Sequence, residues 1–128
     1  MKNTINRYHI KVYTEKKHLE AINGLTDKFN TMSWTYSSHA IDNIKYRMIN
    51  ISEVLTFIKS LHLKSEYIFE YYIDNDIPLK ICYRIPYKNG LDIILIVSNT
   101  KKLITIYINK SDDNHYTLKT ELYTKVNN

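Results

Sequence analysis

One cysteine, two glycines, two prolines and one tryptophan are all the chain has of these residues. A lone thiol, Cys82, rules out an internal disulfide and a cysteine-based zinc site of the usual composition. No linker, repeat or low-complexity segment divides the 128 residues, a length that suits one domain with a modest core. The longest apolar run, Ile93 to Val97, is far short of the roughly 20 residues that a spanning helix needs, so no membrane partner is expected. Met1-Lys2-Asn3-Thr4 is not followed by the apolar segment of a secretory leader. Neither a helix-turn-helix signature nor a zinc finger is present.

What the chain does have is 44% hydrophobic residues, enough to fold, and 18 Lys+Arg against 13 Asp+Glu, a net charge of +5. With a pI near 9.2, a basic excess of this size favours nucleic acid as a partner without establishing it.

Periodicity divides the chain into helices and strands. Residues 5–13 alternate, with Tyr8, Ile10 and Val12 on one side and Arg7, His9 and Lys11 on a basic outer side. Residues 14–29 read as a helix with Leu19, Ile22, Leu25 and Phe29 inward, weakened by Gly24 by about 1 kcal/mol. A connector follows, with Trp34 and Tyr36 covering the core. Residues 37–61 form two short helices that break at Ile49-Asn50. Ser37 or Ser38 caps the first, Ala40, Ile41, Ile44 and Met48 make its apolar face, and His39, Asn43 and Arg47 form a polar ridge beside that face. Asn50-Ile51-Ser52-Glu53 has capping-box spacing, and Ile51, Val54, Leu55, Ile58 and Leu61 form the second stripe.

After Leu61 the period becomes 2. Residues 66–73 make one strand, and a second opens at Pro78 with Leu79, Ile81, Tyr83 and Ile85 opposite Lys80, Cys82 and Arg84. Asn89-Gly90 is the strongest hairpin signal, since a type I′ turn needs positive φ at both central residues. Residues 91–98 form a central strand, residues 103–109 return with Ile104, Ile106 and Ile108 inward, and His115 to Tyr123 is a last strand. The fold class is α+β: N-terminal helices packed on a twisted, mostly antiparallel sheet of four to five strands. The chain is one domain, 1–128, with a strand and helix in 1–35 and the main body in 36–123. Its expected core holds Ile44, Val54, Leu55, Ile58, Ile93, Leu95, Ile104 and Ile106.

His39-Ala40, Arg47, Ile49, Asn50, Glu53-Val54-Leu55 and, later, Ile104-Thr105-Ile106-Tyr107 occur in an order that resembles a widespread family of small bacterial domains. That family's usual run is His-Ala, Arg-Gly-Ile-Ser, Glu-Val-Leu and a strand near Ile-Thr-Val-Tyr. It is similar to the barnase–EndoU–colicin–RelE superfamily of metal-independent ribonucleases, many of them toxins. The likeness covers about residues 36–108. This chain departs from it in Met48 for the Gly, Asn50 for the Ser, and Asn43 where a further basic residue is common. The resemblance implies an endoribonuclease toxin acting on RNA, tRNA among the candidates, with no cofactor and no metal. It also implies a cognate antitoxin or immunity protein and action in the cytoplasm, with delivery from a longer secreted protein left open.

The polar residues fit such chemistry. Thr105, Tyr107 and Asn109 share the face opposite the three isoleucines, and His115, Thr117 and Lys119 share a face of the last strand. Pairing through the Lys110–Asn114 turn would put both sets on one side, beside Lys80 and Arg84. The expected catalytic set is His39, Arg47, His115 and Thr117, and the expected RNA-binding set is Lys80, Arg84, Tyr107, Asn109 and Lys110. Imidazoles with cations and few carboxylates suit a phosphodiester. The positive end of the helix dipole favours the neutral imidazole that a base needs at His39.

Each of these residues also has a plainer role. His39 can be a cap, Arg47 a clamp on Glu53 or Glu70, and Lys80 and Arg84 a solvated strand face. His9, His18 and His62 read as surface. The competing functional class is a non-enzymatic interaction module of a phage or toxin–immunity system. A net charge of +5 argues against a nuclease-immunity role, since such proteins imitate the acidity of nucleic acid. A nucleic-acid-binding repressor or decoy is the third class.

Overall fold

The switch of period at Leu61 is where the fold changes from helices to a continuous run of hairpins. In the computed structural model, residues 5–10, 15–47 and 51–111 are described, apart from the side chains of Ile5, Tyr46, Arg47 and Ile51. Strand β1 (Ile5–His9) precedes α1 (Lys16–Phe29), β2 (Thr35–Tyr36), α2 (Ser38–Arg47) and α3 (Ile51–Ser60). A single 3-10 turn (Ser65–Tyr67) leads into β3 (Ile68–Asp74), β4 (Ile77–Lys88), β5 (Leu91–Ser98) and β6 (Lys102–Lys110). The architecture is α+β, three helices on a mostly antiparallel sheet.

The sheet has six strands among the described residues, in the order β1-β3-β4-β5-β6-β2, rather than four or five. The difference arises at the edges. β1 pairs antiparallel with β3. The connector read as a loop contains β2, which pairs parallel with β6 because Thr35 N donates to Lys101 O and Ser37 N to Leu103 O. The last strand expected at His115–Tyr123 lies outside the described residues.

One face of the sheet carries the core. Rows of paired residues cross it: Tyr8–Tyr71–Ile81–Val97–Leu103, Tyr83–Leu95–Ile106, and Ile85–Ile93–Ile108. Against them pack Ile22 and Phe29 of α1, Ala40 and Ile44 of α2, and Val54 and Ile58 of α3. Ile44, Val54, Ile58, Ile93, Leu95 and Ile106 are buried as expected, and Leu55 packs half-buried against them. Ile104 is a correction. The register slips between Ile96–Thr105 and Val97–Leu103, so Ile104 is the extra residue of a bulge. A bulge shifts alternation by one position, and Leu103 takes the core place at 0% exposure.

The turns hold a second correction. The β3–β4 loop, not Asn89-Gly90, has two consecutive left-handed residues, Asn75 (φ 49°) and Asp76 (φ 66°). At the Asn89-Gly90 hairpin only Gly90 is left-handed, at φ 73°. A register shift between Pro86 and Lys88 supplies extra twist there, so the strands meet with one such residue.

His9 and His18 are not surface residues: they are 1% and 2% exposed. The buried side of α1 is His18, Ile22, Thr26 and Phe29, with Leu19 and Leu25 only partly buried. Buried tyrosines need partners for their hydroxyls, and α1 provides them. Thr26 Oγ1 lies 2.7 Å from Tyr83 Oη, and His18 Nδ1 lies 3.5 Å from Tyr71 Oη. The basic outer side expected for β1 is likewise paired. Arg7 sits diagonally from Glu70 in the β1–β3 register, and its Nε and Nη2 donate to the two carboxylate oxygens at 2.9 Å each.

Glu70 is only 2% exposed, so Arg7→Met leaves a buried carboxylate without its main cation. The variant should lose about 3–5 kcal/mol in urea unfolding at an unchanged m-value. Adding Glu70→Gln should recover part of that loss. A loss below 1 kcal/mol in the single variant would mean that the pair is solvated.

Candidate functional site

The polar ridge of α2 lies where the helix meets the exposed edge of β6. Ser37 caps α2, accepting from Ala40 N at 3.0 Å, while its own hydroxyl donates to Ile104 O at 2.8 Å. Two turns on, Asn43 is buried and donates from Nδ2 to Ile106 O at 3.3 Å. These two side chains occupy carbonyls that a bare edge strand would leave open to another chain. His39 is exposed, one turn before Asn43, with its Nε2 3.4 Å from Asn43 Nδ2. So His39-Ala40 and Ile104–Tyr107, far apart in sequence, become neighbours. Asn43, which replaces a basic residue of the resembling family, is here the contact that joins them.

Other expected residues fall on the opposite side of the sheet. Lys80–Ser98, Cys82–Ile96–Thr105, Arg84–Ile94–Tyr107 and Asp92–Asn109 form the rows of that face. Lys80, Arg84, Thr105, Tyr107 and Asn109 therefore share one face, with the sheet between them and the helices, Lys80 near one end of it and Asn109 near the other. His39 is on the helix side. The side chain of Arg47, at the last residue of α2, and the whole of His115 and Thr117 lie outside the described residues.

Arg84 and Lys80, cations of that face, have partners. Arg84 Nε donates to Asp92 Oδ2 at 2.7 Å and its Nη2 to Lys110 O at 2.9 Å, while Ser111 Oγ donates to Asp92 Oδ1 at 2.9 Å. Lys80 Nζ lies 4.4 Å from the centroid of the Tyr72 ring, a cation–π contact. Lys110 is exposed. Of the carboxylates proposed as clamps for Arg47, Glu70 is held by Arg7. Glu53 pairs with Lys88 and accepts from Tyr87 Oη at 3.0 Å. Lys88 first, then Tyr87, hold the Glu53 carboxyl below the usual carboxylate range. This ties α3 to the end of β4, a link without any local signal in the sequence.

Cys82 stands at the middle of the face away from the helices and is fully buried. Burial, reinforced by the nearby Glu70, pushes its thiol well above the ordinary cysteine value, so it is no nucleophile. Among the described residues, no group of three or more His, Cys, Asp or Glu could hold a metal ion. Sequence reasoning also missed Lys101, read as part of a turn but 5% exposed.

Comparison of the chain with family models, curated proteins and solved structures returns no match.

Asn43→Ala should cost about 1 kcal/mol, the scale of one net hydrogen bond. It should also raise amide exchange along the β6 edge, measured by hydrogen–deuterium exchange. Unchanged exchange there would mean that Ser37 alone guards the edge. Cys82 should react with a thiol reagent only as fast as the protein opens. Labelling of the native state at the rate of a free thiol would contradict its burial.

Proposed function

We propose that this chain is a metal-independent endoribonuclease toxin of the barnase–EndoU–colicin–RelE kind, cleaving RNA, with tRNA among its candidate substrates. The observation that supports this most is the docking of α2 on β6, which puts His39 beside the Ile104–Tyr107 strand. An exposed imidazole one turn from a buried, anchored amide suits a general base that must meet a large substrate, the 2′-hydroxyl taking the place of Asn43 Nδ2 at its basic nitrogen.

In this reading the neutral imidazole of His39 takes the proton of a ribose 2′-hydroxyl. The freed oxygen attacks the adjacent phosphorus, the bond to the 5′-oxygen breaks, and that oxygen leaves with a proton from a general acid. His115 is assigned as that acid, with Thr117 beside it, and Arg47 stabilises charge on the non-bridging oxygens. These three assignments rest on the sequence pattern. Asn43 acts as a positioning residue for His39. Lys80, Tyr107, Asn109 and Lys110 would follow the strand where it passes round the edge of β6, and Arg84 would join them only by exchanging Asp92 for phosphate. The natural inhibitor of so basic a chain would be an acidic antitoxin or immunity protein, and the site of action the cytoplasm.

The Arg84–Asp92 pair favours a second reading, a non-enzymatic interaction module, since it already gives a carboxylate to a guanidinium that phosphate would use.

One assay separates the two. Purified protein incubated with total RNA in EDTA should cleave it, leaving 2′,3′-cyclic phosphate ends. His39→Ala should lose about 10²–10⁴-fold in rate with an unchanged circular dichroism spectrum, since His39 is exposed. RNA affinity should fall steeply with added salt. Equal cleavage by the folded Ala variant would reduce His39 to a surface residue. Absence of cleavage by the parent would leave the interaction module.

A further inference from the structure

Asn30, just past the end of α1, clamps two segments together. Its side-chain oxygen accepts from Leu63 N at 2.8 Å, and its Nδ2 donates to Leu63 O at 2.9 Å. This holds the stretch after α3 beside the connector after α1, and the β5–β6 turn closes a third side. Between them is an open cleft of about 520 Å³ whose lining includes Trp34, Tyr36, Lys59, His62 and Lys101. That volume lies within the range of small-molecule sites, roughly 300–1,000 Å³. None of the described residues lining it is Asp or Glu.

Two groups in its wall lack an ordinary structural complement. Lys101 is 5% exposed and sits in a left-handed turn at φ 61°. Its ammonium donates to Met32 O at 2.7 Å and lies 4.7 Å from the centroid of the Trp34 ring. Burial pulls that ammonium below the usual lysine range, and no carboxylate faces it among the described residues of the cleft. The Tyr36 hydroxyl is buried and has no hydrogen-bond partner among the described residues, a rare condition for a polar atom. Burial pushes its phenol up, so it remains a donor. The ends of α1 and α3 both lie at this cleft, and cations there also oppose the negative ends of two helix dipoles. That accounts for Lys59 and His62. It leaves the Tyr36 hydroxyl unexplained.

We propose that this cleft binds a nucleotide, its phosphate held by Lys101, His62 and the Tyr36 hydroxyl and its base against the Trp34 ring. Aromatic faces accept any base, and the cationic lining selects the phosphate. The ligand is either a free mononucleotide or one unit of a single strand. In the second case the cleft is an RNA subsite that deepens the ribonuclease reading, and only that assignment rests on it.

Trp34 is the only tryptophan, so its fluorescence reports on this cleft. The full chain is titrated in EDTA with uridine and adenosine 5′-monophosphates, with a short oligouridylate, and with inorganic phosphate. The expected result is a saturable change with nucleotide at about 1 mM or below, and at least about tenfold weaker binding of phosphate alone. Tyr36→Phe keeps the ring and removes only a hydroxyl with no partner among the described residues. It should fold at least as stably as the parent and bind nucleotide several-fold more weakly. Lys101→Met should bind about tenfold more weakly. Tighter binding of the oligouridylate than of either mononucleotide assigns the strand, and the reverse assigns the free nucleotide. No saturable change with any nucleotide, or equal affinity in Tyr36→Phe and the parent, overturns the proposal. The readout does not involve cleavage, so an inactive chain that binds nucleotide here sinks the ribonuclease reading alone. A cleaving chain that does not bind sinks the cleft alone.

Discussion

Strand β5 is the constraint on which the rest depends. It is hydrogen-bonded on both sides and buried on both faces: Ile93, Leu95 and Val97 toward the helices, Asp92 and Ile94 away from them. A strand so placed cannot be solvated at either surface, so its neighbours must supply matching rows. β4 and β6 do so, and their registers set where every other side chain falls. The bulge at Ile104 is a local consequence. It allows Leu103 to complete the row from Val97 while β6 turns into the contact with β2.

A core this rich in tyrosine brings hydroxyls inside, and the helices answer with polar residues on their buried sides. Thr26 meets Tyr83 and His18 meets Tyr71, so α1 is rotated from the orientation that its leucines alone would prefer. The same logic applies on the face away from the helices, where Glu70 and Asp92 are buried and each is met by an arginine. Charge that looks like a basic surface in the sequence is largely internal pairing. A ligand for that face would have to compete with carboxylates already in place. Cationic ground with no described carboxylate in its lining is at the helix ends, around Lys59, His62 and Lys101.

The edge of β6 is where fold and proposed chemistry coincide. Its carbonyls are taken by Ser37 and Asn43, so α2 lies along the strand in one fixed register. Any group on the first turn of α2 is then fixed relative to the sheet. A catalytic imidazole would need that fixity, and a non-enzymatic domain would have the same fixity for stability alone. The geometry is common to both, which is why the proposals turn on cleavage and on binding separately.

The residues alone determined the element types. The change of period at Leu61, the described parts of the apolar stripes of α2 and α3, the alternation through β4 and the two apolar faces of β5 are local properties of the backbone repeat, and they held. The two faces of β6 could also be read, so Tyr107 and Asn109 were correctly set opposite Ile106. What only the tertiary structure decided depends on partners distant in the chain. His9 and His18 look like surface residues until β3 and Tyr71 lie beside them. Arg7 looks like part of a basic outer face and Arg84 like a phosphate ligand until register brings Glu70 and Asp92 into reach. Lys101 and Tyr36 look like turn and cover until three segments close around them. Periodicity records which side a residue faces. It does not record what another strand or helix will place there, and the charge of a site is set by that second fact.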